Sequence, residues 1–476
     1  MRKPRDQVSD SGYIPKNSLE GLVLDKYGLS TEQVQQMNTV RRKNAVFMTV
    51  TLKPDYPPCP DCGCDSPHIY RYNEKKIITD LLPGDKSYFI FRQRRYKCPE
   101  CGRSYQENCP FTFHDMRISQ ETILLILDEL KIHTETFSSV ARRHHISPAT
   151  VMNIFDRFVQ IPTHRKLPEV LLIDEVYSFQ SEHTGYVCVL LDGRTLEPVD
   201  VLPSRRKDVL IQYFSQYSLE ERRKVKYFCS DMYDTYQEVA KALFPDAIVA
   251  VDRFHVAQLF NKNVQNVRIR IMKGYSPQGG GKKAQSYSLL KNHSDLLTVN
   301  SHEKVNSCRN QGKVSIFSQD AAKTWSKTLN KKVSPAELLE RITQIHPDLK
   351  AARELTNSFE DLFARYSTSK AAAKPLNRLI ARMRESGIEE MMNCAATLVK
   401  YRQGILNSYT TTEVYWMVSH HDGRVHRKEK KLTSSLIENR NRIIQIIKNN
   451  ANGYTNWSRF RNRVLWVLVD NIPLCG

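Results

Sequence analysis

Two aspartates and four cysteines carry the chemistry that can be read from this chain. The run Leu171-Leu172-Ile173 is apolar and ends in Asp174. A short apolar run bounded by polar residues reads as a buried strand. A carboxylate at the end of such a strand sits on rigid backbone at the rim of a core, within reach of a divalent cation. Lys226-Tyr227-Phe228-Cys229-Ser230-Asp231 repeats the pattern. If the two strands run parallel and side by side, Asp174 and Asp231 face each other as hard oxygen ligands for Mg²⁺. Either Asp alone reads as a turn residue or a helix cap; the pair, in this order, is the signal. The cysteines form two knuckles, Cys59-Pro60-Asp61-Cys62 and Cys98-Pro99-Glu100-Cys101. Thiolates separated by two residues in a tight turn can face one ion, and two such turns complete a tetrahedron. One structural Zn²⁺ on Cys59, Cys62, Cys98 and Cys101 is the expectation. Cys64 is a nearby spare ligand, and Cys109 reads as a small core residue.

These residues need elements to hold them. A short helix over 18–29 and a strand over 46–52 precede the first knuckle. Between the knuckles, residues 76–82 and 87–96 have strand character and return the chain as a hairpin. Arg92, Arg94 and Arg95 line its second strand and suit phosphate contacts. Three helical patterns follow. Ser119 caps a helix carrying Ile123, Ile126, Leu127 and Leu130. A second carries Phe137, Val140 and Ala141. Ser147-Pro148 opens a third, with buried stripe Val151, Ile154, Phe155 and Phe158. This is helix-turn-helix spacing. The free face of the third helix offers Ala149, Thr150, Asn153 and Arg157 to a DNA groove, flanked by Arg142 and Arg143.

From Leu171 the pattern changes to strands. Residues 171–179, 186–191 and 198–203 read as an antiparallel meander, with turns at His183-Thr184-Gly185 and Asp192-Gly193. Helices over 207–214 and 236–244 then alternate with strands over 225–230 and 247–251. The last strand runs into Asp252-Arg253-Phe254-His255 and a long basic helix. That order is the order of a ribonuclease H-like α/β fold, in which the first and fourth strands are neighbours. His255 could orient a bound water or phosphate, or be an ordinary structural histidine. Gly279-Gly280-Gly281 with Lys282 and Lys283 reads as a flexible basic loop. Residues 284–408 read as helical throughout, a large insertion in the α/β domain. A third carboxylate is expected on a late helix. Glu438, in Ser434-Ser435-Leu436-Ile437-Glu438-Asn439-Arg440-Asn441, fits best, since Ile443, Ile444 and Ile447 give that helix an apolar side. Glu413 and Asp422 are its rivals.

Lys and Arg number 71 against 51 Asp and Glu, a net charge of +20 over 476 residues. So large an excess points to a polyanion, most simply double-stranded DNA. No apolar run is long enough to span a membrane. The opening Met1-Arg2-Lys3-Pro4-Arg5 lacks the apolar stretch of a secretory signal. Eleven cysteines without such a signal favour a reducing compartment and metal ligation over disulfides.

In combination, these motifs resemble the ISL3 family of insertion-sequence transposases, a group of DDE transposases. The resemblance rests on the paired knuckles with Arg94-Arg95-Tyr96-Lys97, on Ile173-Asp174-Glu175, and on Ser230-Asp231-Met232 followed by Tyr236. It also rests on Asp252-Arg253-Phe254-His255-Val256, on Glu438 with Asn441, and on Gly453-Tyr454 with Phe460-Arg461-Asn462-Arg463. It runs from about Cys59 to the C-terminus. The family has Gly after its Glu; here Asn439 follows Glu438. The resemblance implies Asp174, Asp231 and Glu438 as a catalytic triad binding two Mg²⁺. It implies Mg²⁺-dependent cleavage and strand transfer at an element's terminal repeats. It also implies a homodimer or higher oligomer on DNA, in the bacterial cytoplasm with the nucleoid. Two other readings stand beside it: a Mg²⁺-dependent nuclease or resolvase without strand transfer, and an inactive DNA-binding descendant. The expected domains are an N-terminal segment (1–54), a zinc-binding hairpin domain (55–112) and a helix-turn-helix domain (113–163). A ribonuclease H-like domain follows (164–273), then a helical insertion (274–430) and a last catalytic part bearing the third acid (431–476).

Overall fold

The computed structural model describes residues 12–82, 84–164, 166–180, 185–276, 285–307, 312–418, 425–433 and 437–474. The residues at the extreme N-terminus, most of the turn at His183, the Gly279–Gly281 loop, Asp422, and Ser434 through Leu436 lie outside the described residues. The chain divides into two compact units, Met1–Pro162 with Ile443–Gly476, and Thr163–Arg442.

The first unit opens with α1 (Ser18–Lys26), capped by the Asn17 side chain, which accepts from the Glu20 backbone N–H. β1 (Val34–Arg42), β2 (Ala45–Leu52), β3 (His68–Thr79), β4 (Lys86–Lys97) and β5 (Ser104–Gln106) make one sheet, in the order β1-β2-β4-β3 with β5 on β4. Alternate side chains point to one face. Met37, Val46, Met48, Val50, Ile77, Phe89 and Phe91 are buried there with Val23 and Leu24 of α1 and with Phe111. The boundary expected at residue 54 therefore falls between strands of a single sheet, since β2 pairs in parallel with β4. β1 escaped notice because Val34-Gln35-Gln36-Met37-Asn38-Thr39 has too few apolar residues to show a strand period. The helix-turn-helix follows as α2 (Gln120–Glu129), α3 (Phe137–Arg143) and α4 (Pro148–Phe158). Ser119, Thr136 and Ser147 cap them, and the expected apolar stripes are buried.

The second unit is built on β6 (Val170–Tyr177), β7 (Tyr186–Asp192) and β8 (Pro198–Leu202), an antiparallel meander. α5 (Lys207–Ser215) and α6 (Leu219–Arg223) lead to β9 (Tyr227–Ser230), and α7 (Asp234–Leu243) leads to β10 (Ile248–Val251). The sheet order is β10-β9-β6-β7-β8, with β9 parallel to β6 and β10 parallel to β9. The first and fourth strands are thus neighbours, as their order predicts.

α8 (Arg253–Gly274) and α9 (Gln285–Asn292) follow. The next stretch is not helical. β11 (Lys304–Asn306) pairs with β12 (Lys313–Ser315), and β13 (Thr324–Ser326) with β14 (Lys331–Val333). Strands of three residues are too short to show any period, so the all-helical reading of 284–408 missed them. Helices resume with α10 (Pro335–Ile345), α11 (Pro347–Arg365), α12 (Ser369–Glu385), α13 (Glu389–Lys400) and α14 (Arg402–Asn407). They share a core with Val256, Phe260 and Val264 of α8 and Val251 of β10. α14 approaches β10 so closely that a Cβ on Gly404 would stand 2.7 Å from Val251 Cγ2. The hairpin β15 (Thr411–Val418) and β16 (Val425–Lys431) is a second departure from the all-helical insertion.

α15 (Ile437–Asn450) starts in this unit and continues into the first, which ends with α16 (Trp457–Leu468). α16 is fastened to the helix-turn-helix by arginines. Arg463 is fully buried. It donates to the backbone carbonyls of Ile132 at 3.0 Å and Glu135 at 2.9 Å, and to that of Leu130. Burial pushes its guanidinium down to about 10. Arg459 pairs with Asp156 of α4 at 2.6 Å. Arg463→Met keeps the volume and removes the charged donors. Hydrogen bonds to charged groups contribute more than neutral ones, so a loss of about 3 kcal/mol in urea unfolding is expected. An unchanged unfolding curve would exclude Arg463 as the fastening of α16.

Candidate active site and metal centre

The register of three parallel strands positions three aspartates. Leu172 of β6 pairs with Cys229 of β9. Two residues further along each strand stand Asp174 and Asp231. Val251 of β10 pairs with Ser230, so Asp252 comes next to Asp231, and its N–H donates to the Ser230 carbonyl at 2.8 Å. Asp231 and Asp252 emerge just past the C-terminal ends of β9 and β10, and Asp174 lies within β6 level with them, on the side where open α/β sheets bind their ligands. They line one cleft of about 390 Å³ together with Glu175, Tyr186, His255, Glu438 and Asn441. Glu438 is exposed on the first turn of α15. Glu413 is exposed on β15 and is not part of the lining.

Each acid is held differently. Asp174, 8% exposed, accepts from the Glu175 N–H at 2.9 Å and from the Asn441 side-chain amide at 2.9 Å. His255 Nε2 lies 3.8 Å from its Oδ1. Asp231 accepts from the Tyr233 N–H at 3.1 Å. Burial raises the Asp174 carboxyl to about 6, against the pull of His255. Burial, then the nearby Glu175 charge, raises Asp231 to about 7. Glu175 is neutralised by Arg205 and accepts from the Tyr236 hydroxyl at 3.0 Å. Asp252 is 1% exposed; its Oδ1 accepts from the Thr433 hydroxyl at 2.7 Å, and its buried Oδ2 has no hydrogen-bond partner. The Oδ1 of Asn441 is likewise buried and unpartnered.

This is a donor set of oxygens, buried or half-buried except at Glu438 and with more acids than cations, and it fits a hard divalent cation. Asp252 was quoted in the sequence but given no role. The signal was available, because it follows an apolar run as Asp174 and Asp231 do. A larger cleft of about 660 Å³ lies between α7, β10 and α14. Its acids Asp234 and Glu238 are already paired with Lys400 and Lys207, so it offers no comparable unmet charge.

The four knuckle cysteines do converge. Their sulfurs all lie within 4.8 Å of one another, and among the described residues no other three His, Cys, Asp or Glu side chains come so close together, the carboxylates of the cleft standing further apart. Cys59 and Cys101 are 3.6 Å apart, and Cys62 and Cys98 3.5 Å. Sulfurs around one tetrahedral Zn²⁺, with bonds of about 2.3 Å, stand about 3.8 Å apart, so the set fits. Backbone N–H groups, that of Cys101 first, lower the Cys98 thiol to about 6 against its burial. Against a backbone hydrogen bond at Cys64, the facing Cys98 and Cys101 sulfurs raise Cys62 to about 12. A bound cation would hold all four as thiolates.

Of the residues expected to meet DNA, Arg142, Asn153 and Arg157 are exposed, and Thr150 is half-buried with its hydroxyl 2.8 Å from that of Ser147. Arg143 is exposed yet committed to Glu129 and to Glu135, the latter at 2.8 Å. Arg92 is exposed and Arg95 half-buried. Arg94 corrects the expectation for its strand. It is 1% exposed and paired with Glu107 at 2.6 Å. It shares a face of β4 with Arg92, but there the Gln35 side chain and the Glu107 segment cover it, so it ties β4 to that segment instead of facing a phosphate.

Residues 171–416, just over half of the chain, match a family model described as a transposase, the DDE domain of ISL3 elements. Residues 117–159 match the helix-turn-helix domain of transposase family ISL3. The chain is also similar to the transposase for insertion sequence element IS1001 of Bordetella parapertussis. The two are 20% identical over 442 residues, which cover 91% of this chain and 93% of that protein. No helix among the described residues is long and apolar enough to cross a membrane.

The raised carboxyl of Asp231 has a consequence for stability. Its folded value is about 7 against an ordinary 3.8, so the folded chain binds more protons in between, and stability falls as pH rises through that window. In divalent-free buffer at pH 8, Asp231→Asn is expected to stabilise the protein by about 1–3 kcal/mol. The gain should shrink as pH falls through 7 and vanish near 4. Paired thermal melts across this range check it; a gain independent of pH would contradict it.

Proposed function

The chain belongs to the ISL3 family of transposases, and from that premise we propose that it binds the ends of a bacterial insertion sequence and carries out Mg²⁺-dependent DNA cleavage and strand transfer. The observation that carries this reading is the single cleft lined by Asp174, Asp231 and Glu438, two from neighbouring strands and one from a late helix. The strand order β10-β9-β6-β7-β8 supports a ribonuclease H-like catalytic domain. In this reading Asp174, Asp231 and Glu438 are the catalytic acids and hold two Mg²⁺. Bound there, the ions would stabilise the attacking and leaving oxygens of an in-line phosphoryl displacement.

The chain's own residues prepare that site. The Asn441 amide fixes one oxygen of Asp174 and the Glu175 N–H the other. The Tyr233 N–H orients Asp231. Arg205 and Tyr236 occupy Glu175 and keep it out of the ligand set. The open Oδ2 of Asp252 adds a fourth negative centre beside Asp174 and Asp231. In the other unit, α4 would enter a major groove with Asn153 and Arg157 facing bases and Thr150 beside them, while Arg142, Arg92 and Arg95 meet phosphates. Arg143, held by two acids, contributes there only if DNA displaces one of them. Cys59, Cys62, Cys98 and Cys101 hold a structural Zn²⁺, because four thiolates leave no open position for chemistry. A homodimer or larger oligomer on DNA fits a reaction that joins two ends.

Four measurements test the proposal. Asp174→Asn, Asp231→Asn and Glu438→Gln should each reduce cleavage of an end-sequence duplex on the order of 10³-fold while duplex binding persists. Near-normal cleavage by Glu438→Gln would remove it from the triad. Products joined to target DNA distinguish transposition from simple cleavage. Arg157→Ala should lower the preference for end sequence over random duplex by about 1–3 kcal/mol at fixed salt; an unchanged ratio rules out reading by α4. Metal analysis should find about one zinc per chain, lost in Cys98→Ser; full zinc content in that variant would refute the four-thiolate site.

A further inference from the structure

The sheet of the first unit is covered on one face. The other face, among the described residues, carries exposed and half-buried side chains except toward β5, where Arg94 and Tyr96 are buried. Strand pairing places Val40 with Phe47, Phe47 with Tyr88, and Glu74 with Arg92 across it. Phe47 and Tyr88 stack, with centroids 5.2 Å apart and planes 21° from parallel. The Lys76 ammonium stands 3.9 Å from the Tyr88 ring centre. Tyr72, 38% exposed on the edge strand β3, carries the Arg92 guanidinium 5.1 Å from its ring. The open cations of this face are Arg42, Lys76, Lys86 and Arg92, and its open acid is Glu74; Arg94, on the same face, is buried and paired with Glu107. None of the four open cations appears in an ion pair with an acid, whereas Arg41 at the same end of the sheet is paired with Asp85.

We propose that this open face, through Tyr72, Phe47 and Tyr88 with Lys76 and Arg92, binds single-stranded DNA. Rings set among cations on a sheet suit an unpaired strand, whose bases stack on the aromatics while its phosphates meet the cations. A duplex keeps its base faces in its own stack, so the rings add nothing to duplex binding and the cations add only charge. The proposal rests on reading the chain as a DNA-handling protein, and it assigns to this unit a task separate from groove reading by α4.

The test uses the full-length, zinc-containing protein and fluorescence anisotropy at fixed salt. The probes are a labelled oligothymidine and a labelled random duplex of equal length. The wild-type protein should bind oligothymidine at least as tightly as duplex. Tyr72→Leu should weaken oligothymidine binding about tenfold, the scale of one base–aromatic stack, with duplex binding changed by less than about twofold. Tyr72→Phe, which keeps the ring, should behave as wild type. Lys76→Gln, a surface change that leaves the rings in place, should lower the salt slope of oligothymidine binding by about one. The proposal is overturned if oligothymidine does not bind, if Tyr72→Leu leaves its binding unchanged, or if both probes weaken equally. A role in cross-strand packing alone would appear as a lower melting temperature with oligothymidine affinity intact, and that too overturns it. Failure to bind either probe would instead count against the DNA-handling reading as a whole.

Discussion

The candidate site depends on one register, that of β6 against β9 and of β9 against β10. Backbone hydrogen bonds set it, with Leu172 opposite Cys229 and Ser230 opposite Val251. Side chains alternate along a strand, so a slip of one residue would turn Asp174 or Asp231 into the core and an apolar neighbour into the cleft. The apolar strands make such a slip costly. Ile173, Phe228 and Cys229 are fully buried, and a carboxylate in their place would be stranded without a partner. The same core that makes the sheet stable therefore brings the carboxylates level with one another.

That arrangement stores electrostatic tension. Asp174 is buried and Asp231 half-buried, both close to further acids, and their protons are correspondingly held. The chain relieves part of this by pairing Glu175 with Arg205 and leaves the rest unmet. A cluster of oxygens that lacks a countercharge in a basic protein is the inverse of the chain's overall balance of +20. The surface charge suits a polyanion, whereas the cleft suits a cation.

The helical insertion is bound into the same unit. Val251 at the end of β10 and Val256 at the start of α8 belong to its core, and Gly404 brings α14 against β10. Arg253, next to Asp252, donates to the Ser408 hydroxyl and carbonyl at 3.0 and 3.1 Å and lies over the Tyr409 ring. The strand end that presents Asp252 is thereby braced by residues far away in sequence.

The sequence by itself determined the parts whose cause is local. Apolar runs ending in Asp174 and Asp231, the two cysteine knuckles, and the capped stripes of α2, α3 and α4 are each decided by neighbours a few residues away. The order of strands and helices limited the topology enough to make β6 and β9 neighbours. Tertiary structure decided what depends on distant partners. β1 and β2 joined the cysteine hairpin's sheet although β1 has almost no strand period, because β4 supplied a paired edge. Arg94 became a buried partner of Glu107, though nothing in its sequence context separates it from the exposed Arg92. The short hairpins between α9 and α10 are held by pairing rather than pattern. Asp252 entered the cleft for the same reason. Its burial and its open oxygen follow from where β10 pairs, a long-range fact that no local run of residues encodes.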